Sequence, residues 1–348
     1  MPASAPDSFL IIRPSALGDA CRTVPVLTSL RAAWPEARSG WLIQKEFTDA
    51  VASHPALDEV VAFPRQELRG AWRSPTRALK SLGFLKSLGK GDWDVVIDCQ
   101  GLARSGLFAR ATKAPRRVGF ADAGELGWLH FNQRVQTSAK HTVERMMSLV
   151  DALGIERKMD MRLYSPPDTE HWWNSYPSRK SGSYAVIAPK SRWPGKEWPE
   201  AEWLKLAGEL PSLGINQIVL VGSASECAAV DRLAESMGKD GIDVMPMAGR
   251  TTVGQLMRII EESTIVIAND SAPLHIAVGF QRPLVGLFGL TDPAKVGPYG
   301  CDRWVVQGKQ APAKGREYRD EKLGQDAMAS ISVSDVLEFA ARALEESR

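Results

Sequence analysis

Short runs of apolar residues, each bounded by turn-forming residues, recur along the chain at intervals that leave room for a helix. Apolar runs without polar alternation are typical of strands that are covered on both faces of a parallel sheet. The segments between them show helical spacing, and this alternation of strand and helix predicts an α/β fold with doubly wound parallel sheets. The predicted strands are Phe9–Ile12, Gly40–Ile43, Glu59–Phe63, Asp94–Asp98, Tyr184–Ala188, Gln217–Val221, Ile265–Ala268 and Leu284–Phe288.

A polar, proline-bearing stretch divides this pattern into two halves. The chain has 348 residues, which is long for one hydrophobic core, so we expect two domains. We predict a first Rossmann-like domain at residues 1–164, a linker at 165–183 and a second Rossmann-like domain at 184–330. A capped helix at 331–348 follows, with Ser332 and Ser334 before its first acidic residues.

The net charge of +2 conceals a difference between the two halves. Residues 1–160 hold 22 Lys and Arg against 17 Asp and Glu, a balance of +5, and the remaining residues hold 21 against 24, a balance of −3. A basic first half suggests an anionic partner there, although ordinary solvated faces explain so small a margin nearly as well. We expect no nucleic-acid partner.

The four cysteines lie far apart, with no CxxC pair and no cluster of His and Cys. This spacing favours reduced, mostly buried thiols and argues against a structural zinc site. The N-terminus lacks the basic and apolar regions of a signal peptide, and no apolar run reaches the roughly 18 residues of a membrane span. We therefore expect a cytoplasmic protein.

The segment Arg65–Lys90 is rich in cations interleaved with leucines, and Glu67 is its only acidic residue. One interpretation is a basic amphipathic helix that lies on an anionic membrane surface. The other, which is the commoner arrangement, is a solvated helix that packs on its own domain. Gly83 within the segment weakens the prediction of a helix in either case.

Ligands of open α/β sheets bind beyond the carboxyl ends of the strands. In the first half, Asp19 follows the first predicted strand, and Gly18 before it permits close approach of the backbone. A helix cap is the alternative role for Asp19. Arg104 follows the fourth predicted strand, and Arg116 and Arg117 come soon after it, so these cations are candidates to hold a carboxylate or phosphate. No GxGxxG motif supports a dinucleotide-binding dehydrogenase.

In the second half, the loop after Tyr184–Ala188 presents four hydrogen-bond donors, which suits a diphosphate. They are Lys190, Ser191, Arg192 and Lys196. Glu226 lies in the opening turn of the helix after the next strand, where a carboxylate could accept both hydroxyls of a ribose. A favourable charge in the first turn of a helix is the alternative explanation for Glu226.

The turn Asn269–His275 follows a buried strand and opens a helix. It places the carboxylate of Asp270, the imidazole of His275 and the backbone N–H groups of Ser271 and Ala272 at a helix amino end, where anions bind readily. A capped helix with a buried histidine explains these residues, taken alone, as well as an anion site does.

Five motifs carry a resemblance that covers nearly the whole chain, from Leu10 to about Gly300 together with the C-terminal helix. They are RPSALGDACRTVPVL, DVVIDCQGLARSG, KSRWPGKEWP, LVGSASE and NDSAPLHIAVGFQRPLVGLFGLTDP. In this order and spacing the chain resembles the lipopolysaccharide heptosyltransferases, glycosyltransferase family 9. Within that family the segments DCQGLARS and KHTVERMMSLVDALG are most similar to heptosyltransferase I.

The resemblance implies a GT-B fold, in which two Rossmann-like domains face a cleft. It also implies an inverting, metal-independent transfer of heptose from ADP-L-glycero-D-manno-heptose to an inner-core lipopolysaccharide acceptor, either Kdo–lipid A or a core heptose. ADP-heptose is then a substrate, and no cofactor is expected. The acceptor is anionic and lipid-linked, so the resemblance implies that the enzyme works at the cytoplasmic face of the inner membrane. Arg65–Lys90 is the segment expected to contact that membrane surface.

The same resemblance assigns roles to single residues. Asp19 matches the catalytic base that deprotonates the acceptor hydroxyl. Arg104, Arg116 and Arg117 are the expected acceptor-binding residues. The expected donor site consists of Lys196 at the phosphates with Ser191 and Arg192 nearby, Glu226 at the ribose, Asp270 at the heptose hydroxyls, and Ser271, Ala272 and His275 at the diphosphate.

Three departures from the family pattern affect the expected substrates. Ala272 stands where glycine is common, Arg104 stands where lysine is frequent, and residues 313–320 contain none of the cysteines found in many members. An enzyme of the same fold that uses another nucleotide sugar, as a transferase or an epimerase, is therefore one alternative. A non-catalytic GT-B-like binding protein is the other, and the joint retention of Asp19, Lys196, Glu226 and Asp270 argues against it.

Overall fold

The computed structural model describes residues 5–70, 74–180, 182–310, 312 and 320–347. The chain divides into two compact units, one that ends at Tyr164 and one that begins at Ser165. Residues 313–319, which include most of the loop expected to lack cysteines, lie outside the described residues, as do residues 71–73 of the basic segment.

The first unit is built from parallel strands that alternate with helices. Its strands are β1 Ser8–Ile12, β2 Arg38–Gln44, β3 Glu59–Phe63, β4 Val95–Asp98, β5 Arg116–Phe120 and β6 Gln133–Val135. Its α-helices are α1 Leu17–Ala33, α2 Asp49–Ala52, α3 Arg65–Leu68, α4 Pro75–Leu88, α5 Ala103–Ala111 and α6 Thr142–Asp151. The strand order is β3-β2-β1-β4-β5-β6, and every strand pair is parallel.

The second unit repeats this plan. Its strands are β7 Tyr184–Ala188, β8 Gln217–Leu220, β9 Val244–Pro246, β10 Ile265–Asn269, β11 Leu284–Phe288 and β12 Val305–Gln307. Its α-helices are α7 Asp168–Asn174, α8 Glu200–Glu209, α9 Cys227–Lys239, α10 Val253–Glu261, α11 Ala272–Gly279, α12 Pro293–Val296, α13 Glu321–Ala329 and α14 Val333–Glu346. The strand order is β12-β11-β10-β7-β8-β9, again with parallel pairs.

The central strands of both sheets are buried along their whole length, which explains their uninterrupted apolar sequences. All residues of β1, β4, β7, β8, β10 and β11 are buried. Because both faces of such a sheet are covered, no polar alternation is required. The prediction of two doubly wound parallel sheets is confirmed.

The segment predicted as a linker contains α7, whose Trp173 is fully buried in the second unit. The indole N–H of Trp173 donates to the hydroxyl of Tyr184 at 3.1 Å, and that hydroxyl donates to the carbonyl of Ile259 at 2.7 Å. Aromatic packing therefore joins α7 to β7 and α10.

The basic segment forms the short helix α3 and the longer helix α4. Phe84 of α4 packs against Phe63 of β3 and Phe108 of α5, with ring centroids 5.4 and 5.6 Å away. Leu79 and Leu82 on α4 are instead 72% and 57% exposed. None of the helices in the described part of the chain combines the length and apolar character that a membrane crossing needs.

Candidate active site

The first sheet reverses its strand order between β1 and β4, which is where open α/β sheets bind ligands. Ile12 pairs with Asp98 at this point, so the loops that follow the two strands begin side by side. Asp19 lies in the first turn of α1, and Arg104 lies in the first turn of α5. The structure thus brings the expected base and one expected acceptor-binding residue to the same edge of the sheet.

Two arginine residues hold the carboxylate of Asp19. Arg13 Nη2 lies 2.8 Å from Oδ2, and Arg22 Nη2 donates a hydrogen bond to Oδ1. The N–H of Ala16 also donates to Oδ2, at 3.2 Å. Arg13 follows β1 directly and donates from Nη1 to the carbonyl of Cys99 after β4. We call Arg13, Arg22 and Asp19 the arginine clamp.

The surroundings of Asp19 favour its charged form. Burial alone would raise the pKa of this carboxyl, but the charges of Arg13 and Arg22 and the N–H of Ala16 hold its pKa well below the usual range. Asp19 is therefore ionised at any working pH, and its affinity for a proton is weak in this arrangement. Its bond to Ala16 also fulfils the helix-capping role that the sequence left open.

Asp98 is a second carboxyl group close to the arginine clamp. Its Oδ1 accepts hydrogen bonds from the N–H groups of Gln100 at 2.8 Å and Gly101 at 2.9 Å, and its Oδ2 has no partner among the described residues. Burial raises the pKa of Asp98 to about 6, although the N–H groups of Gly101 and Gln100, the hydroxyl of Ser105 and the charge of Arg13 oppose that rise. The turn depends on Gly101, whose φ of +69° favours glycine.

Arg104 has a second cation, Arg65, in its neighbourhood. Arg65 follows β3 at the same edge of the sheet and donates to the side chain of Gln44 at 3.2 Å. Burial, followed by the charge of Arg65, lowers the pKa of the Arg104 guanidinium. Because like charges repel, an anionic ligand bound between these two side chains would be stabilised by both.

The expected grouping of Arg116 and Arg117 with Arg104 requires a correction. Arg116 and Arg117 are the first two residues of β5 and pair with Val95 and Val96 at the amino ends of the strands. They therefore lie at the amino edge of the sheet, whereas Arg104 lies at the carboxyl edge. Residues that are close in sequence can lie at opposite edges of a sheet when a strand begins between them. The side chain of Arg117 donates to the carbonyls of Ala114 and His130 at 2.5 and 3.1 Å. Neither arginine therefore belongs to the group of cations around Arg104.

The second sheet reverses its strand order between β7 and β10. Lys196 lies in the loop 190–199 after β7, and Asp270 follows β10 directly. The two side chains form an ion pair with an Nζ–Oδ2 distance of 2.5 Å, and they are only 19% and 10% exposed. The structure thus places Lys196, expected to bind the phosphates, beside Asp270, expected to bind the sugar. Both lie at the point where this type of sheet binds ligands.

Glu197 organises the 190–199 loop. Its carboxylate lies 3.0 Å from Lys190 Nζ and accepts a hydrogen bond from the backbone N–H of Ser191 at 3.1 Å. Arg192 is exposed. The four donors expected in this loop therefore differ in environment, since Lys190 is paired within the loop, whereas Lys196 is paired with the turn after β10.

The 190–199 loop packs closely against α13. A Cβ atom at Gly324 would lie 2.3 Å from the carbonyl oxygen of Gly195, which is a backbone atom, so only glycine permits this approach. Trp198 is 2% exposed and donates from its indole N–H to the carbonyl of Ile331 at 3.1 Å. Trp198 thereby fixes this loop to the core of the second unit.

Glu226 bends back onto the loop that precedes it. One carboxylate oxygen accepts the backbone N–H of Ser223 at 2.6 Å, in a capping box. A carboxylate offers about four acceptor positions, so this bond leaves acceptor capacity for a ligand. The loop follows β8, which neighbours β7, and Glu226 therefore lies at the same edge as Lys196.

The turn before α11 offers backbone donors. The hydroxyl of Ser271 bonds to the carbonyl of Asn269 at 2.9 Å and does not cap the helix. The N–H groups of a first helical turn have no acceptor within their own helix, so those of Ser271 and Ala272 suit an anion. His275 lies within α11 and is 5% exposed, so it is a buried histidine of the kind that the sequence left open.

Several side chains that hold these groups in place were not among the residues predicted from the sequence. Arg22 stands three residues after Asp19 on one helix, and this spacing was a usable signal for an ion pair. Arg13 directly follows a buried strand and Asp98 ends one, and both are themselves buried, which is unusual for charged residues. Asn269 links two loops by donating to the carbonyl of Pro189 at 2.8 Å, a contact that only the tertiary structure reveals.

Each unit therefore presents polar groups suited to one half of a group transfer. The first has an ionised carboxylate and cations, and the second has a lysine, a carboxylate and the N–H groups of a helix amino end. The described residues contain no group of three or more His, Cys, Asp or Glu side chains placed to hold a metal ion. The carboxylate of the first unit could accept a proton from a hydroxyl. The lysine and N–H groups of the second unit could stabilise a diphosphate that gains charge.

Comparisons with known proteins point the same way. The sequence profile described as Glycosyltransferase family 9 (heptosyltransferase) matches residues 82–324. The lipopolysaccharide heptosyltransferase 1 of Pseudomonas aeruginosa is 30% identical over 84% of this chain and 81% of its own length. The enzyme of that name from Salmonella typhimurium is 29% identical over 84% of this chain and 91% of its own length.

Solved structures agree with these sequence matches. The Escherichia coli heptosyltransferase WaaC with ADP has a TM-score of 0.77 at 25% identity, and the match covers 97% of this chain and 99% of that one. The same enzyme with ADP-2-deoxy-2-fluoro heptose has a TM-score of 0.74 at 25% identity, covering 98% and 100%. The expectation of two Rossmann-like halves of the GT-B type is confirmed.

Proposed function

This chain belongs to glycosyltransferase family 9, and from that membership we propose that it transfers a heptose from ADP-L-glycero-D-manno-heptose to an inner-core lipopolysaccharide acceptor. The acceptor is Kdo–lipid A or a core heptose. Relatives named lipopolysaccharide heptosyltransferase 1, and the WaaC complexes with ADP and with a fluorinated ADP-heptose, support this substrate pair. The single observation that carries the proposal is the ion pair between Lys196 and Asp270 at the strand-order reversal of the second sheet.

The donor role of the second unit follows from its charges. When the bond between the anomeric carbon and the phosphate oxygen breaks, ADP leaves with the electron pair and its diphosphate gains negative charge. Lys196 and the N–H groups of Ser271 and Ala272 would stabilise that charge, with Ser191 and Arg192 beside them. Asp270 would accept hydrogen bonds from the heptose hydroxyls, and Glu226 from the ribose.

The acceptor role of the first unit rests on Asp19. The acceptor oxygen forms a bond to the anomeric carbon and gives its proton to the Asp19 carboxylate, so no metal is required for the proton transfer. Arg104 and Arg65 would hold a carboxylate or phosphate of the acceptor, since both are cations at the carboxyl edge of the first sheet. Nothing in this scheme requires a cofactor.

The direct test is to incubate the protein with ADP-heptose and Kdo–lipid A and to measure the mass of the product. We expect the acceptor mass to rise by one heptose residue and ADP to be released in equal amount. ADP release without a heavier acceptor would contradict the proposed acceptor. If the enzyme did not react with Kdo–lipid A but reacted with an acceptor that already carries a heptose, its acceptor would be a core heptose, at a later step of core assembly.

A panel of nucleotides separates the proposal from its alternatives. At 100 times its dissociation constant a ligand stabilises the folded protein by roughly 2.7 kcal/mol, which a thermal shift detects. We expect stabilisation by ADP and not by UDP, GDP or NAD. Stabilisation by UDP alone would favour another nucleotide-sugar enzyme, and the absence of any shift would favour a non-catalytic binding protein.

We further propose that α4 brings the enzyme to the cytoplasmic face of the inner membrane, where its lipid-linked acceptor lies. Leu79, Leu82 and Lys86 share one face of α4, and both leucines are more than half exposed. The helix carries no acidic residue, and Phe84 attaches its other face to the unit. An apolar face flanked by cations suits an anionic lipid surface.

Vesicle co-sedimentation tests this contact. The protein should bind phosphatidylglycerol vesicles better than phosphatidylcholine vesicles, and the double change Leu79→Ser and Leu82→Ser should remove most of the binding. Leu126→Ser is the matched control, because Leu126 is 63% exposed elsewhere in the same unit. Equal binding by the double variant and the native chain would exclude α4 as the contact.

A further inference from the structure

Both carboxylate oxygens of Asp19 are held by arginine side chains that come from different elements. Arg13 follows β1 and contacts Oδ2, whereas Arg22 lies on α1 and contacts Oδ1. The two arginine side chains are 8% and 9% exposed, and that of Asp19 is 23% exposed. The arginine clamp is thus almost wholly buried, with its carboxylate the most accessible part.

Helix capping does not explain this arrangement. The N–H of Ala16 already donates to Asp19 and forms the capping contact of α1. Removing two guanidinium groups from water is unfavourable unless their partners repay the lost hydration. A helix cap at the surface needs no buried guanidinium groups. The two arginines of the arginine clamp therefore act on the Asp19 carboxylate and not on the end of the helix.

Arg13 and Arg22 differ in how they are fixed. Arg13 also donates to the carbonyl of Cys99, and the N–H of Ser15 beside it donates to the side chain of Gln100 at 3.3 Å. Arg13 therefore ties the loop after β1 to the loop after β4, and its replacement would disturb both. Arg22 reaches Asp19 from three residues along the same helix, so its replacement leaves that connection between the two loops intact.

We propose that Arg22 is a positioning residue for the transfer reaction, which together with Arg13 fixes the direction of the two oxygens of the Asp19 carboxylate. The inference rests on the proposed function, in which Asp19 takes the proton of the acceptor hydroxyl. Arg22 itself touches neither substrate in this scheme. Its effect reaches the reaction only through Asp19.

The test compares Arg22→Met, Arg22→Lys, Asp19→Asn and the double change Arg22→Met with Asp19→Asn. Misplacement of a catalytic group by about an ångström lowers rates by up to about 100-fold, so we expect Arg22→Met to reduce kcat by roughly 10- to 100-fold. The KM for ADP-heptose should stay within about twofold, since Arg22 acts on the base and not on the donor. Arg22→Lys should recover most of the rate, and in the Asp19→Asn background Arg22→Met should have no further effect.

Arg31→Met is the matched control. Arg31 lies on the same helix, but it pairs with Asp58 and with backbone carbonyls instead of Asp19. It should lower the melting temperature without lowering kcat at a temperature where the variant is folded. A fall in kcat that is equal for Arg22→Met and Arg31→Met, or that adds fully to the effect of Asp19→Asn, would overturn the proposal.

A second measurement does not use the reaction. Melting temperatures of the two single variants and the double variant show whether Arg22 and Asp19 stabilise the fold as a pair. We expect the loss in the double variant to be clearly smaller than the sum of the single losses, and additive losses would overturn the inference. A native chain inactive with ADP-heptose would refute the proposed function, while the melting comparison would still decide whether Arg22 holds Asp19.

Discussion

Replacement of Lys196 by alanine should weaken ADP binding through two electrostatic effects. Lys196 and Asp270 are paired at 2.5 Å and are 19% and 10% exposed. An incoming diphosphate competes with Asp270 for the ammonium group of Lys196. Without Lys196, the ligand loses an attraction and meets the unpaired charge of Asp270, which repels it.

The structure allows the size of the effect to be worked out. A hydrogen bond to a charged group contributes about 1.5–3 kcal/mol. Because each 1.4 kcal/mol changes a dissociation constant tenfold, Lys196→Ala should raise the Kd of ADP by about 10- to 150-fold. The added change Asp270→Asn removes the repulsion, so the double variant should bind ADP more tightly than Lys196→Ala alone and less tightly than the native chain.

Isothermal titration with ADP measures all three constants without the acceptor. Lys205→Ala is the matched control, because Lys205 is a 64% exposed lysine of the same unit that pairs with its helix neighbour Glu202. Its Kd for ADP should equal that of the native chain. A Kd for Lys196→Ala within twofold of native, or a double variant that binds worse than the single one, would refute the reasoning.

Three other predictions follow from the same sites. Asp19→Ala should abolish heptose transfer and leave the Kd of ADP nearly unchanged, and a rate within about tenfold of native, roughly 1.4 kcal/mol in barrier, would exclude Asp19 as the base. Gly324→Ala should place a Cβ 2.3 Å from the backbone of the 190–199 loop, destabilise the unit by about 1–3 kcal/mol and weaken ADP binding. Gly208→Ala should do neither, because a Cβ there meets no described atom outside its own stretch of helix within 4 Å. Burial raises the pKa of Asp98 from 3.8 to about 6, so its contribution to stability is complete below pH 4 and is lost as the pH rises through 6. Asp98→Asn should therefore make the melting temperature vary less with pH between pH 4 and 7. The pH-dependent part of the free energy of unfolding that this change removes is at most about 3 kcal/mol. An unchanged pH dependence of the melting temperature would contradict the raised pKa of Asp98.

The sequence predicted the central strands well because burial on both faces leaves an uninterrupted apolar run. Of these buried strands, Tyr184–Ala188 and Leu284–Phe288 have the predicted bounds. The outer strand Glu59–Phe63 also has its predicted bounds, although only Phe63 in it is buried. The strands β5, β6, β9 and β12 were missed because three of them have only three residues, and β5 begins with two arginines. Short outer strands are determined by pairing with a neighbour, and a local pattern does not contain that information.

The candidate site divides in the same way. Asp19, Lys196, Glu226 and Asp270 could be identified because each follows a strand that the apolar pattern already located. Their partners could not, since the ion pair of Lys196 with Asp270 joins residues 74 positions apart in the chain. Arg116 and Arg117 were misplaced because an unrecognised strand begins at those two residues.

The 190–199 loop also carries its own optical reporter. Trp193 is 41% exposed three residues before Lys196, whereas Trp198, two residues after it, is 2% exposed and hydrogen-bonded to the core. Indole emission depends on contact with water, so nucleotide binding should change the fluorescence of Trp193 and leave that of Trp198 constant. The difference spectrum between the native chain and Trp193→Phe would then follow donor binding in real time, without labels and before any sugar is transferred.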